Sequence, residues 1–348
     1  MKKYDVFFNG VLTTVTPVSY TTPDLDKIQI KEPGQLPKMS GRLYVPASAL
    51  RGKLRRMARD IVREGLSTAD NDYLFPLADF YLNTLGGVKG GGKDDAEGKE
   101  LVARIRRVRE FNPLVSLFGA MAPATVSGKL SVGHAIDAGQ VPASPMLVQH
   151  MRTDDLARSA DNWDMVQANA AAEYDALKSG ALARSDLKVR IEEKKKLLRT
   201  ADDEQKKLIR DEIKKLEEDL KSLRSVSVQL PNLKYEAIPA GVDLTSDFRL
   251  MGVTEAEIAL FVKALNLFAC NPVIGGRLNH GLGVVSGKWS VMSRITGMSN
   301  METAGSVSIA GDFMPAAMTG QVDAWLNMTL PWAEYNFSAD LFKEKEAA

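Results

Sequence analysis

Cysteine is nearly absent: Cys270 is the only one in 348 residues, so no internal disulfide framework can staple the fold. Histidine is scarce as well, and His134, His150 and His280 are too scattered to suggest a zinc site. No stretch approaches the roughly 18 consecutive apolar residues of a spanning helix. Met1-Lys2-Lys3 passes straight into a strand-like segment with no apolar leader region. The expectation is therefore a cytoplasmic protein with no metal, no cofactor and no membrane partner. Charge of one sign is also missing in bulk: 45 Lys and Arg stand against 44 Asp and Glu, so net charge alone does not call for a polyanion. What remains, 45% hydrophobic and 26% charged residues, is the composition of a soluble globular chain with room for one large domain or two ordinary ones.

The charges are unevenly distributed. Lys38, Arg42, Arg51, Lys53, Arg55, Arg56, Arg59 and Arg63 fall in one stretch with only Asp60 against them, while acidic residues gather at 94–100 and 204–219. Residues 4–16 are rich in β-branched and aromatic side chains and stop before Pro17, which predicts a first strand with a glycine inside it. About thirty Pro- and Gly-containing residues follow. At 46–66, Leu50, Leu54, Met57, Ile61 and Val62 recur at helical spacing behind Pro46 and Ser48, which predicts an amphipathic helix with a basic outer face. Residues 70–110 read as helix, glycine run and a second short helix carrying Arg104, Arg106, Arg107 and Arg109.

Two further strands are expected at 128–137 and 235–252, then a buried helix at 254–269 opened by the capping box Thr254–Glu257, and a strand at 282–292. Cys270, at the end of that helix, is expected as a buried structural thiol. The order strand, helix, strand, strand, helix, strand predicts an α+β fold built on an RRM-like or ferredoxin-like palm, βαββαβ. Between its second and third strands lies an insertion of about ninety residues. In it Leu187, Ile191 and Leu198 line one helix and Ile209, Ile213, Leu216, Leu220 and Leu223 another, which predicts an antiparallel helical hairpin. Strands are expected in the tail at 305–313 and 320–330, before a charged, frayed end.

Two segments carry chemistry together. VPASALRGKLR (45–55) places Ser48 and unbonded backbone N–H groups at a helix start, where phosphate is favoured, with Arg51, Lys53 and Arg55 able to supplement them. GGRLNHGLG (275–283) offers a backbone that can approach a ligand closely, because Gly275, Gly276, Gly281 and Gly283 lack side chains, with Arg277, Asn279 and His280 as donors. In this order, and with Ser116-Leu117-Phe118-Gly119 ahead of the strand at 128–137 and Pro239-Ala240-Gly241 in a later strand-like run, the chain resembles the RAMP superfamily of CRISPR-associated proteins. The likeness covers 1–64, 111–138 and 234–292. Within the superfamily it is most similar to multicopy backbone subunits, the type IV version above all.

The resemblance implies a palm of 1–64, 111–138 and 234–348, a finger insertion at 65–110, and a thumb with helical hairpin at 139–233. It also implies a non-catalytic subunit that coats a guide RNA (crRNA) and presents it to target nucleic acid. Its partners would be further copies of itself and other effector subunits, a helicase among them. Three alternatives stay open. Asp24 or Asp26 would serve a metal-dependent RNA endonuclease of the same superfamily. A structural assembly protein would hold no nucleic acid. A nucleotide-driven enzyme would use GVKGGGK (87–93), which matches P-loop spacing, but Asp94 stands where Ser or Thr is needed and a helical pattern precedes it, which favours a finger loop.

Overall fold

The computed structural model describes residues 2–20, 35–68, 71–87, 98–150, 170–198, 203–222, 233–276 and 280–342. The elements are β1 (Tyr4–Thr14), β2 (Lys38–Met39), β3 (Arg42–Val45), α1 (Ala47–Leu66), α2 (Leu77–Leu85), α3 (Gly98–Phe111), α4 (Pro113–Phe118), β4 (Leu130–Val132) and β5 (Ala135–Asp137). They continue as β6 (Met146–His150), α5 (Ala170–Leu197), α6 (Asp203–Ser222), β7 (Leu233–Ala237), β8 (Asp243–Val253), α7 (Glu255–Ala269), β9 (Val285–Ile295), β10 (Glu302–Ile309), β11 (Ala317–Gly320) and α8 (Gln321–Asn327). Packing divides the chain into two compact units, one holding the described residues up to 148 and from 235 onward, the other 149–234.

The first unit is α+β. Its sheet runs β11-β10-β9-β1-β8-β5-β3-β2, with β4 also on β8, and neighbouring strands pair antiparallel. β1 lies at its centre because its sequence alternates: Val6, Phe8, Leu12 and Thr14 are buried, while Asn9 and Val11 on the other face are exposed. Gly10 allows the strand next to it to close up, since a Cβ there would collide with the Lys288 carbonyl of β9. The buried face carries α1 and α7. Phe8, Phe248 and Phe261 meet edge to face at 5.2–6.4 Å, and each such ring contributes about 1.5–3 kcal/mol by burial. The capping box is formed as expected: Thr254 Oγ1 accepts from Glu257 N–H, and the Glu257 carboxylate accepts from Thr254 N–H at 2.7 Å.

Several elements differ from expectation. The run 235–252 is two strands, because Pro239 cannot continue a ladder and Gly241, at φ +79°, turns the chain before β8. The strand at 128–137 is likewise two pieces. The strand expected at 320–330 is a helix: Val322 and Trp325 are three residues apart and bury one side of α8, a spacing that strand alternation cannot satisfy. Cys270 is the C-cap of α7 and only partly buried.

In α2 two polar residues share the buried side with Leu82, and two leucines lie outside. Asp79 and Asn83 are buried, the first accepting from Ala339 N–H at 2.7 Å, the second donating from Nδ2 to the carbonyls of Asp79 and Phe337. Leu77 and Leu85 are exposed by 72% and 59%.

In the second unit α5 and α6 pack along each other, with Ile191 and Ile213 buried and ion pairs Lys194–Glu212 and Lys195–Glu217 at 2.6 and 3.2 Å beside them. The two helices pack against each other, as the apolar spacing predicted. β6 and β7 pair in a separate two-stranded sheet.

Candidate nucleic-acid interface

β1 ends beside the start of β9, with Thr14 opposite Val285. β8 runs antiparallel to β1, so α7, which follows β8, ends on this side of the sheet. Leu50, Lys53 and Leu54 from the first turns of α1 surround one small void with Leu265 and Phe268 from the last turns of α7 and Leu12 of β1.

The start of α1 has no side-chain cap from Pro46 and no acidic residue in its first turn. Ala47 N–H donates to Nδ1 of His134 at 3.1 Å, with the imidazole edge-on to Tyr44. His134 therefore satisfies one helix-start donor from a distant strand connection, a role no local signal in the sequence could disclose. Ser48 is exposed in the same turn.

The glycine-rich turn is anchored to the chain that leaves β1. Gly283 N–H donates to Pro17 O at 2.9 Å, Gly276 N–H to Ser19 O at 2.8 Å, and Ile274 N–H to Gly283 O at 2.9 Å. Gly275 and Gly283 have φ of +85° and +95°, and a Cβ on either would strike a carbonyl, that of Ser19 or Ile274. Those two glycines serve packing. Gly281, at φ +74°, has open space around its Cβ position and is exposed with His280. Arg277 and Asn279, and the alternative catalytic Asp24 and Asp26, lie outside the described residues, as do Lys93 and Asp94.

The basic stretch is less available than its sequence suggests. Arg55, expected to supplement a phosphate site, is 7% exposed, and its guanidinium donates to the carbonyls of Leu82, Asn83, Phe118 and Gly119 at 2.7–3.3 Å. Those carbonyls lie at the ends of α2 and α4, where the dipole favours a cation; Leu82 O also accepts from Gly86 N–H. Burial, with Arg51 beside it, pushes the Arg55 pKa down to about 10. Arg42 is likewise turned onto the carbonyls of Asp137 and Gly139, and Arg59 onto Thr84, Asp60 and the face of Phe80.

Arg51 donates from Nη2 to Phe118 O at 2.6 Å, while its Nε is buried without a partner among the described residues. Lys53 is half-buried, its pKa lowered by burial and then by Arg56. Lys38, Arg56 and Arg63 are exposed. Ser48, Arg51, Lys53, Gly276 and Gly281 thus remain as groups that could meet a polyanion.

At the other end, a groove of about 1030 Å³ is lined by α3, the start of α7 and the tail. Its charges are balanced: Arg106 and Arg109 face Glu110 and Glu334, and Lys129 is bound to both carboxylate oxygens of buried Glu257 at 2.7 and 2.9 Å. Among the described residues no group of three His, Cys, Asp or Glu is placed to hold a metal ion, and no helix is long and apolar enough to cross a membrane.

A family model for the RAMP superfamily matches residues 11–286, most of the chain, and the chain belongs to that superfamily. Among solved structures, it is similar to a chain of an assembly described as "Type IV-B CRISPR Complex", with 16% identity and a TM-score of 0.40 over 86% of this chain and 93% of that one. No curated protein matches.

Proposed function

We propose that this protein is a guide-RNA-binding backbone subunit of a CRISPR effector, stacking in several copies along the RNA and presenting it for pairing with target nucleic acid. The observation that carries the reading is the packing of the first turns of α1 on the last turns of α7, the helix that leads into the glycine-rich turn, in a member of the RAMP superfamily. The order β9-β1-β8-β5 with α1 and α7 on one face supports an RRM-like palm. The separate packing of 149–234 supports a thumb carried on the helical hairpin, and α2 and α3 would form the fingers.

Ser48 at the α1 start takes a phosphate, Arg51 and Lys53 add charge, and Gly276, His280 and Gly281, with Arg277 and Asn279, lie against the adjacent backbone. Such contacts position the strand and carry no sequence information. The subunit holds RNA without cutting it, and its partners are further copies and other effector subunits.

Ser48→Asp separates binding from folding. A carboxylate at a helix start favours the helix by about 0.3–1 kcal/mol while repelling a phosphate placed there. With the protein co-expressed with a CRISPR array, we expect guide-length RNA to copurify with the wild type. Ser48→Asp should lose it at moderate salt, with no loss of thermal stability. Wild-type protein free of RNA that also ignores added RNA would overturn the reading.

A further inference from the structure

The turn between β10 and β11 presents an aromatic ring beside this site. Phe313 is 51% exposed and holds φ +63°, a left-handed conformation costly for a bulky side chain. It is kept there from both sides. Asp312 accepts from Met314 N–H at 3.2 Å, and Ala316 N–H donates to Asn266 Oδ1 of α7 at 3.0 Å. Gly311 packs so closely that a Cβ on it would lie 3.0 Å from Val15 and 3.2 Å from the Val285 carbonyl.

Val15 N–H in turn bonds Val284 O, and Gly283 bonds Pro17, so the aromatic tip and the glycine-rich turn are fastened to the same short stretch of chain. Lys288 is exposed on β9, opposite Ser308 of β10, on the strands that carry this tip. An apolar ring held outward against backbone preference, fastened to the same stretch of chain as groups suited to phosphate, is the arrangement of a stacking platform for single-stranded nucleic acid.

We propose that Phe313 stacks on a nucleobase of the RNA whose backbone is held by the α1 start and the glycine-rich turn. The inference rests on the function proposed above and adds to it a contact with the base. Stacking is indifferent to base identity, so it suits a subunit that must accept any guide. The rival occupant is a second copy of this chain, for which Phe313 would be a packing knob.

The test is affinity of the full-length protein for a fluorescein-labelled single-stranded RNA of mixed sequence, and for the same RNA with scattered abasic positions. Phe313→Leu keeps bulk and apolarity but removes the π face. We expect it to weaken binding roughly tenfold, to bind abasic and intact RNA alike, and to be rescued by Phe313→Trp, whose fluorescence RNA should quench. A packing knob would tolerate leucine: undiminished RNA binding by Phe313→Leu alongside weakened binding by Ser48→Asp would overturn the stacking contact and leave the proposed function standing. Absence of RNA binding in the wild type would overturn both.

Discussion

Replacing Arg55 by methionine keeps the aliphatic stem and removes the guanidinium, leaving the carbonyls of Leu82, Asn83, Phe118 and Gly119 without their shared donor. Each hydrogen bond is worth about 1 kcal/mol net, rising to roughly 1.5–3 when one partner is charged. Four of them at the lower value come to about 4 kcal/mol. Burial carries a penalty, seen in a pKa pushed down to about 10, which offsets the gain from charge assistance and keeps the net near the lower value.

Chemical denaturation should therefore show Arg55→Met destabilised by about 4 kcal/mol, a loss rare for a single substitution, while exposed Arg56→Met stays within about 0.5 kcal/mol. RNA binding by the folded fraction of Arg55→Met should be unchanged. A loss below about 1 kcal/mol, or an Arg56→Met variant as unstable, would refute the assignment of Arg55 to the fold.

Burial alone raises the Asp5 pKa, but bonds from Gly252 N–H, Thr296 and Arg294 more than offset it and hold the carboxyl below its usual value. Its stabilisation is present above about pH 4 and lost as pH falls through the lowered pKa, so Asp5→Asn should flatten the acid limb of a stability–pH profile and cost about 1–3 kcal/mol at neutrality. Gly283→Ala should cost about 2–4 kcal/mol, from backbone strain and collision with Ile274. Gly281→Ala, with open space, should cost about 1–2; equal thermal shifts for the two would contradict the packing argument. Lys129→Met strands buried Glu257 and should lower stability by about 3–5 kcal/mol in denaturant titration, with recovery in the double variant Lys129→Met, Glu257→Gln.

Elements with strong periodicity and their own stop signals were legible. α1 and α7 carry long apolar stripes, and Thr254 with Glu257 announced the second of them. α8 was not legible, because seven residues with two buried positions hold no period to detect. Arg55 was misread as part of a basic outer face, although it lies inside the stripe Leu50, Leu54, Ala58 and Val62, one position from Leu54. A cation within an apolar stripe signals carbonyls waiting on the facing element, and those acceptors are contributed from far along the chain. His134 at the α1 start and the Asn266 anchor of the Phe313 turn are long-range pairings of the same kind.

The buried polar pair in α2 changes how substitutions in this segment should be interpreted. A redesign guided by hydropathy alone would replace Asn83 with leucine and hold Leu77 and Leu85 fixed, and it would misjudge all three positions. Polar replacements at 77 and 85 alter only surface, whereas Asn83 ties the helix to the Phe337 carbonyl in the tail. Asp79 and Asn83 should therefore be as hard to replace as buried Leu82, while Leu77 and Leu85 should tolerate change.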